Sequence, residues 1–322
     1  MPLVSVGSYL PTIDVFSAHW VSAASKLGKP IVLRGGMTRA GLTALRGDLE
    51  GAIDAVTDAF ADYTVAVGQK DVARAEMVPL VAAFNRAVRG ALTGTGYEHN
   101  LPDAVGPLTG QAELIKALSD VASRWGQIDN ATIAGFVGPL TLAGGLTLGQ
   151  FTAKVATLEA AYLALENAEV ALSVVRKERD SQRALVKTAL TSYRRRIVGL
   201  FAQGDAIVLS LPQVNPEPGS TPPAVSVSGV WDGASETAHL TILPLTDPKV
   251  RVAHYEVRFC PGTSYKTANE ETIGRFGEGE TTFETTVGLT ASGAVALFRV
   301  YIITETGNEK GSATVKITRA GG

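Results

Sequence analysis

Residues 30–92 align without a gap on residues 139–201 at a constant offset of 109, with eighteen identities among the 63 paired positions. The shared positions include Pro30/Pro139, Leu33/Leu142, Gly35-Gly36/Gly144-Gly145, Thr38/Thr147, Leu49-Glu50/Leu158-Glu159, Arg74-Ala75/Arg183-Ala184 and Gly90/Gly199. A duplication of this length constrains the fold more than any composition can. Each copy is one supersecondary unit, and both must bury the same apolar positions.

Upstream of each copy lies a shorter amphipathic stretch with one tryptophan: 13–27 with Trp20, and 111–128 with Trp125. The repeated unit is therefore a short helix, a Gly-Gly turn and a long helix. Residues 31–33 and 140–142, just before the glycines, are candidates for short strands. Thr38 and Thr147 suit the N-cap, where a hydroxyl accepts from an otherwise unpaired backbone N–H. The second long segment carries no Pro or Gly from 150 to 198, and apolar residues recur at 151, 155, 158, 162, 165 and 172, then at 186, 190, 193, 197 and 200. This spacing of three and four is the seam of a packed helix. About fifty residues at 1.5 Å each predict a rod of roughly 75 Å. The first copy has Gly68 and Pro79 at corresponding places, which predicts a kink near Pro79.

The first rod is acidic early (Asp48, Glu50, Asp54, Asp58, Asp62). The second is basic late (Arg176, Lys177, Arg179, Arg183, Lys187, Arg194, Arg195, Arg196). An antiparallel pair places these runs side by side, and it suits short helix connections. The expected body over 1–210, with repeat cores 30–92 and 139–201, is an elongated pseudo-two-fold helical bundle of two long and two short helices.

With 29 basic and 31 acidic residues the net charge is −2, so no overall field favours nucleic acid. The basic run 176–196 is either used within the chain or open to an external anion; its acidic counterpart in the first rod favours use within the chain. Residues 130–153 carry no charge, but Gly135, Gly138, Pro139, Gly144, Gly145 and Gly149 make this stretch turns rather than a membrane-spanning helix. The opening residues lack a basic and apolar leader, which places the chain in the cytoplasm or on an export route without an N-terminal signal. Cys260 stands alone, which excludes an internal disulfide and the usual zinc spacings.

Five of fifteen prolines fall in 212–223, so 211–223 is read as a semi-rigid linker. Beyond it the apolar period becomes alternating. Residues 224–230, 237–243, 254–259, 282–287, 297–304 and 312–318 read as strands, six of the about seven expected of a β-sandwich over 224–322. His254-Tyr255-Glu256-Val257-Arg258-Phe259, Leu289, and Phe298-Arg299-Val300-Tyr301-Ile302-Ile303-Thr304 with Gly307 resemble the fibronectin type III family over 222–318. Two positions depart from that pattern: Ile242 lies near the place of the usual second-strand tryptophan, and Ala296 stands where a tyrosine is expected, which removes its corner hydrogen bond. Trp231 is a candidate to replace the missing aromatic volume. The resemblance implies an immunoglobulin-like sandwich that serves as spacer, docking surface or assembly contact.

No catalytic, cofactor-binding or metal-ligating residue is nominated. His19, His99, His239 and His254 fall on separate expected elements, and no nucleophile elbow, phosphate loop or metal motif occurs. Tyr97-Glu98-His99 is the best catalytic cluster on offer, with no partner to support it. Arg46-Gly47-Asp48 lies in a helix rather than in an exposed β-loop. The expectation is a multidomain α-then-β chain, not an enzyme, without cofactor. It acts as a structural or assembly protein, with itself or another protein as partner. Alternatives are a protein- or glycan-binding adhesion module on the β-sandwich and a membrane-active helical protein. Neither nucleic acid nor a small-molecule substrate is expected.

Overall fold

A computed structural model describes residues 3, 6–99, 101–107, 109–215, 221–243, 245, 250–262, 264–277, 279–305 and 307–320. A helical N-terminal region precedes a C-terminal antiparallel β-sheet region. The helices are α1 (Val6–Leu27), α2 (Arg39–Ala91), α3 (Gln111–Asp129), α4 (Leu148–Leu200) and the short α5 (Ala206–Leu209). By contacts the chain divides into one unit of 62–170 and another of 1–61 with 171–322, a partition that cuts through both long helices rather than at 211–223.

In unit 62–170 the core joins Met77, Val81, Phe84 and Val88 of α2 to Leu114, Leu118, Val121 and Trp125 of α3 and to Phe151 and Leu158 of α4. Late α2 thus faces early α4, which makes the pair antiparallel. Trp125 lies 5.6 Å from both Phe84 and Phe151, and its indole N–H donates to the Leu140 carbonyl at 3.0 Å. The ring fills the centre, and its one polar atom is satisfied.

The other unit has a helical core of the same design. Ile13, Phe16 and Trp20 of α1 pack with Leu42 and Leu49 of α2 and with Val186, Leu190, Tyr193 and Ile197 of α4. Early α2 faces late α4, again antiparallel. The core positions correspond at the offset of 109: Leu42 with Phe151, Leu49 with Leu158, Met77 with Val186, Val81 with Leu190, Phe84 with Tyr193 and Val88 with Ile197, all buried. The Gly-Gly turns also correspond. Gly35 and Gly36 have φ of 81° and 82°, Gly144 and Gly145 of 78° and 76°, a region open to glycine at no steric cost. Leu33 N–H donates to the Met37 carbonyl at 2.8 Å and Leu142 N–H to the Leu146 carbonyl at 3.0 Å. The candidate strand 31–33 is irregular, and 140–142 contributes only the bridge Leu142–Leu146. Ile31, Leu33, Leu140 and Leu142 are nonetheless buried, so these apolar residues serve as plugs under the turn rather than as strand.

Helix α2 runs without a break from Arg39 to Ala91, with Pro79 inside it. One expectation is corrected. Among the described residues, no ion pair joins Asp48, Glu50, Asp54 or Asp58 to the run 176–196, because these acids lie on the exposed face of α2 while Leu42 and Leu49 face α4. Arg176 and Arg179 bond instead to Glu271 of the β-region.

Eight strands follow among the described residues: β1 (Ser226–Asp232), β2 (Thr237–Leu243), β3 (Val252–Cys260), β4 (Glu271–Phe276), β5 (Thr282–Thr285), β6 (Val295–Thr304), β7 (Glu309–Gly311) and β8 (Val315–Thr318). One antiparallel sheet has the order β1-β2-β5; the other has β4-β3-β6-β7, with β8 also on β6. Both sheets contribute to one core, with Leu240 and Ile242 from the first and Tyr255, Val257, Phe298, Val300 and Ile302 from the second. Gly274 of β4 is required by a close approach, since a Cβ there would lie 2.2 Å from the Phe283 ring. Ala296 is buried, and Trp231 packs on the core edge under the guanidinium of Arg319. Of the expected linker, residues 216–220 lie outside the described residues. Val214 is buried in the helical core and accepts from the Leu3 backbone at 2.8 Å.

Candidate functional site

Strand β3 carries the site. Its residues Tyr255, Val257 and Phe259 point into the β-region core, so the period of two sends Glu256 and Arg258 to the opposite face. That face is also covered: Glu256 is fully buried and Arg258 nearly so. Arg258 bonds Glu256 Oε2 at 2.7 Å, Glu270 Oε1 at 2.8 Å and Glu309 Oε2 at 2.7 Å, and its guanidinium lies 3.8 Å over the Tyr301 ring. Arg275 bonds Glu256 Oε1 at 2.9 Å. The hydroxyls of Tyr265 and Tyr301 donate to Glu270 Oε2 at 2.8 and 3.0 Å.

Burial opposes ionisation of Glu256, but hydrogen bonds from His254 and Arg258 and the charges of Arg258 and Arg275 outweigh it and hold the carboxyl at about 2. Burial and the neighbouring Glu270 push the Tyr265 and Tyr301 phenols up, so both remain protonated donors. Arg258 is held charged by its carboxylates, against the effect of burial.

Helix α4 meets this layer. Arg176 Nε donates to Glu271 Oε1 at 2.7 Å and its terminal nitrogen to the Asn269 carbonyl at 3.2 Å; Arg179 approaches Glu271 at 3.4 Å. Phe60 of α2 packs on Phe259 with ring centres 5.6 Å apart. Between α1, α2, α4 and the outer edge of β4 is a cleft of about 850 Å³, bordered by Leu10, Ile53, Val56, Arg179, Asp180, Arg183, Ile273 and Arg275 among others. Its carboxylates and guanidiniums neutralise one another. The arrangement holds charges in fixed places and brings no nucleophile beside a base.

The histidines expected on separate elements are separate. His19 is buried beside Tyr193, His99 is exposed, His254 reaches Glu256 at 3.4 Å, and His239 lies on the β1–β2 hairpin. At His239 the Nε2 lies 3.0 Å from Ser235 Oγ, and Nδ1 lies 3.4 Å from Glu284 Oε1. Asp232, however, also takes the Ser235 hydroxyl at 3.0 Å and the Ala234 N–H at 2.9 Å, so the group closes an exposed turn. Glu98 accepts from the Gly94 N–H at 2.7 Å, which ties it to its own loop rather than to His99. Arg46 of the Arg-Gly-Asp triplet is paired with Asp14 and Glu50 on the helix surface. Cys260 is buried, its sulfur accepting from Lys266 N–H at 3.2 Å. Among the described residues no group of His, Cys, Asp and Glu is placed to hold a metal, and no helix is long and apolar enough to cross a membrane.

The charged layer escaped the sequence reading. Its signal was Glu256 and Arg258 two apart in an otherwise apolar strand, which puts both on one face; covering of that face by helices could not be read from the strand alone.

No protein-family model matches the chain, and no curated protein matches it. Among solved structures, pectate lyase Pel3 from Pectobacterium carotovorum is 18% identical over 29% of this chain and 27% of its own, with a TM-score of 0.24. Pectate lyase PelI from Erwinia chrysanthemi, in complex with tetragalacturonic acid, is 22% identical over 29% of this chain and 28% of its own, also at 0.24. The chain thus spans just over a quarter of the lyases it matches. An Fn3-like protein from Clostridium thermocellum is 22% identical over 31% of this chain and 95% of its own, at a TM-score of 0.24.

Proposed function

We propose that the chain is a non-enzymatic structural or assembly protein that self-associates or docks through its long helices and carries a fibronectin type III-like sandwich as a module. The observation that supports this most is the conservation of one core design in both copies, down to the buried positions of α2 and α4. Such a duplication invests sequence in framework rather than in a pocket. The same correspondence supports a pseudo-two-fold bundle, and the shared core of the two β-sheets supports the sandwich. On 62–170, Val65 and Val72 of α2 and Leu163 and Val170 of α4 are more than half exposed, each pair seven residues apart and so on one helix face. These are the residues a partner helix would cover. Light scattering with electron microscopy tests the reading: particles larger than one chain are expected, whereas a monomer at high concentration that retains no partner in pull-downs would overturn it.

A second reading has the β-region as the binding module. Val230 and Leu243, 64% and 70% exposed on β1 and β2, favour it. Replacing both with serine would then abolish partner capture without changing the assembly state.

A further inference from the structure

We propose that the cleft beside β4 binds a small organic acid, an apolar stem ending in a single carboxylate, with the carboxylate held by Arg183. Its volume of about 850 Å³ lies within the range of small-molecule sites. Leu10, Ile53, Val56 and Ile273 offer the stem an apolar wall, and the polar side already has its acids committed. Glu270 and Glu309 accept from Arg258, Glu271 accepts from Arg176 and Arg179, and Asp180 accepts from Arg179 and Arg183.

Arg183 and Arg275 each bond a single carboxylate here, and Arg183, which also lies 4.9 Å from the Tyr9 ring centre, is the one with a buried donor left over. One terminal nitrogen reaches Asp180 at 3.1 Å, and Nε is buried without a hydrogen bond among the described residues. The repeat supplies a comparison. Arg74, its counterpart at the offset of 109, gives its terminal nitrogens to the Tyr162 hydroxyl at 2.8 Å and to the carbonyls of Pro107 and Thr109. Where the fold uses this arginine as a strut, it provides the acceptors; Arg183 borders the cleft with its Nε buried and without one. A buried N–H without a partner is costly, and a guanidinium fork matches a carboxylate with two parallel bonds. The nearby Asp180, more than half exposed, disfavours a doubly charged ligand such as phosphate.

The test is calorimetric titration of the full chain with sodium octanoate, octanol and inorganic phosphate. Octanoate is expected to bind with one site per chain, octanol and phosphate more weakly. Arg183→Gln should weaken octanoate by roughly tenfold or more, the scale of one charge-assisted bond. Thr57→Trp, a bulky change at an exposed position on the cleft wall, should abolish binding while the circular dichroism stays native. Absence of octanoate binding, binding that survives Arg183→Gln or Thr57→Trp, or phosphate binding equal to octanoate would each overturn the proposal. If Arg183→Gln fails to fold, Thr57→Trp and the ligand series decide it.

Discussion

The Tyr193 hydroxyl donates to Nδ1 of His19 at 2.7 Å, in the middle of the helical core of 1–61 and 171–322. The direction is fixed by the other ring nitrogen: Nε2 lies 2.9 Å from the Ile207 carbonyl, which can only accept, so Nδ1 is left as the acceptor. Burial pushes the Tyr193 phenol up and keeps it a donor. The ring also stacks on Trp20 at 4.5 Å. Tyr193→Phe keeps the stacking and strands a buried imidazole nitrogen, at a cost of about 1–3 kcal/mol in urea unfolding. Phe84→Tyr, the reverse change in the corresponding core, brings a hydroxyl among apolar side chains and is expected to cost a similar amount.

Glu256 makes stability depend on acid. Its carboxyl titrates near 2 when folded and near 4.5 when exposed, so the folded form binds fewer protons between these values. The stabilisation is complete above about pH 5 and is lost as pH falls toward 2, on the order of 3 kcal/mol in total. Glu256→Gln removes the titrating group. Melting temperatures from pH 6 to pH 2.5 should fall less steeply in Glu256→Gln than in the parent, although its value at pH 6 is lower because Arg258 and Arg275 lose a charged partner. Equal slopes would count against this account.

Glu271 binds the β-region to α4 through Arg176 and Arg179, both largely buried. Glu271→Ala leaves Arg176 without a carboxylate and Arg179 with only the exposed Asp180, and should cost about 3–5 kcal/mol, the penalty of breaking a buried pair from one side. Replacing the arginines as well, with Arg176→Met and Arg179→Met, should recover most of that loss, because no buried charge is then left without its partner. Denaturation of the single and triple variants checks it: a triple variant no more stable than Glu271→Ala would mean that the arginines matter for reasons other than this pairing.

The features legible in the sequence were those set by local periodicity. The repeat located α2 and α4, the spacing of apolar residues named their seams, and Thr38 and Thr147 marked where the helices start. Strand β4 was missed because Glu271-Thr272-Ile273-Gly274-Arg275-Phe276 has only one fully buried apolar residue, Phe276. Its pairing with β3 comes from the backbone, which alternation cannot report. The ion-pair partners of the basic run were misjudged for a related reason. Charge totals along two rods say which halves attract, but only the rotation of each helix decides which side chains meet, and core packing of Leu42 and Leu49 turned the acids outward.

One difference between the copies points to a stabilising change. Thr147 caps α4 reciprocally: Gln150 N–H approaches Thr147 Oγ1 at 3.4 Å, and Gln150 Oε1 accepts from the Thr147 N–H at 3.0 Å. This is the capping-box arrangement, which satisfies two backbone donors at once. In the first copy Gly41 stands where Gln150 stands in the second, so Thr38 makes its forward bond at 3.4 Å with no side chain to return one. Gly41→Gln should complete the box and remove a flexible glycine from the first turn, together raising stability by about 1 kcal/mol. The added Cβ would come 2.7 Å from the Met37 sulfur, an atom near the end of an unbranched side chain that can rotate away. A higher urea midpoint with an unchanged slope is the expected outcome; a lower midpoint would mean that Met37 is held in place by the turn it closes.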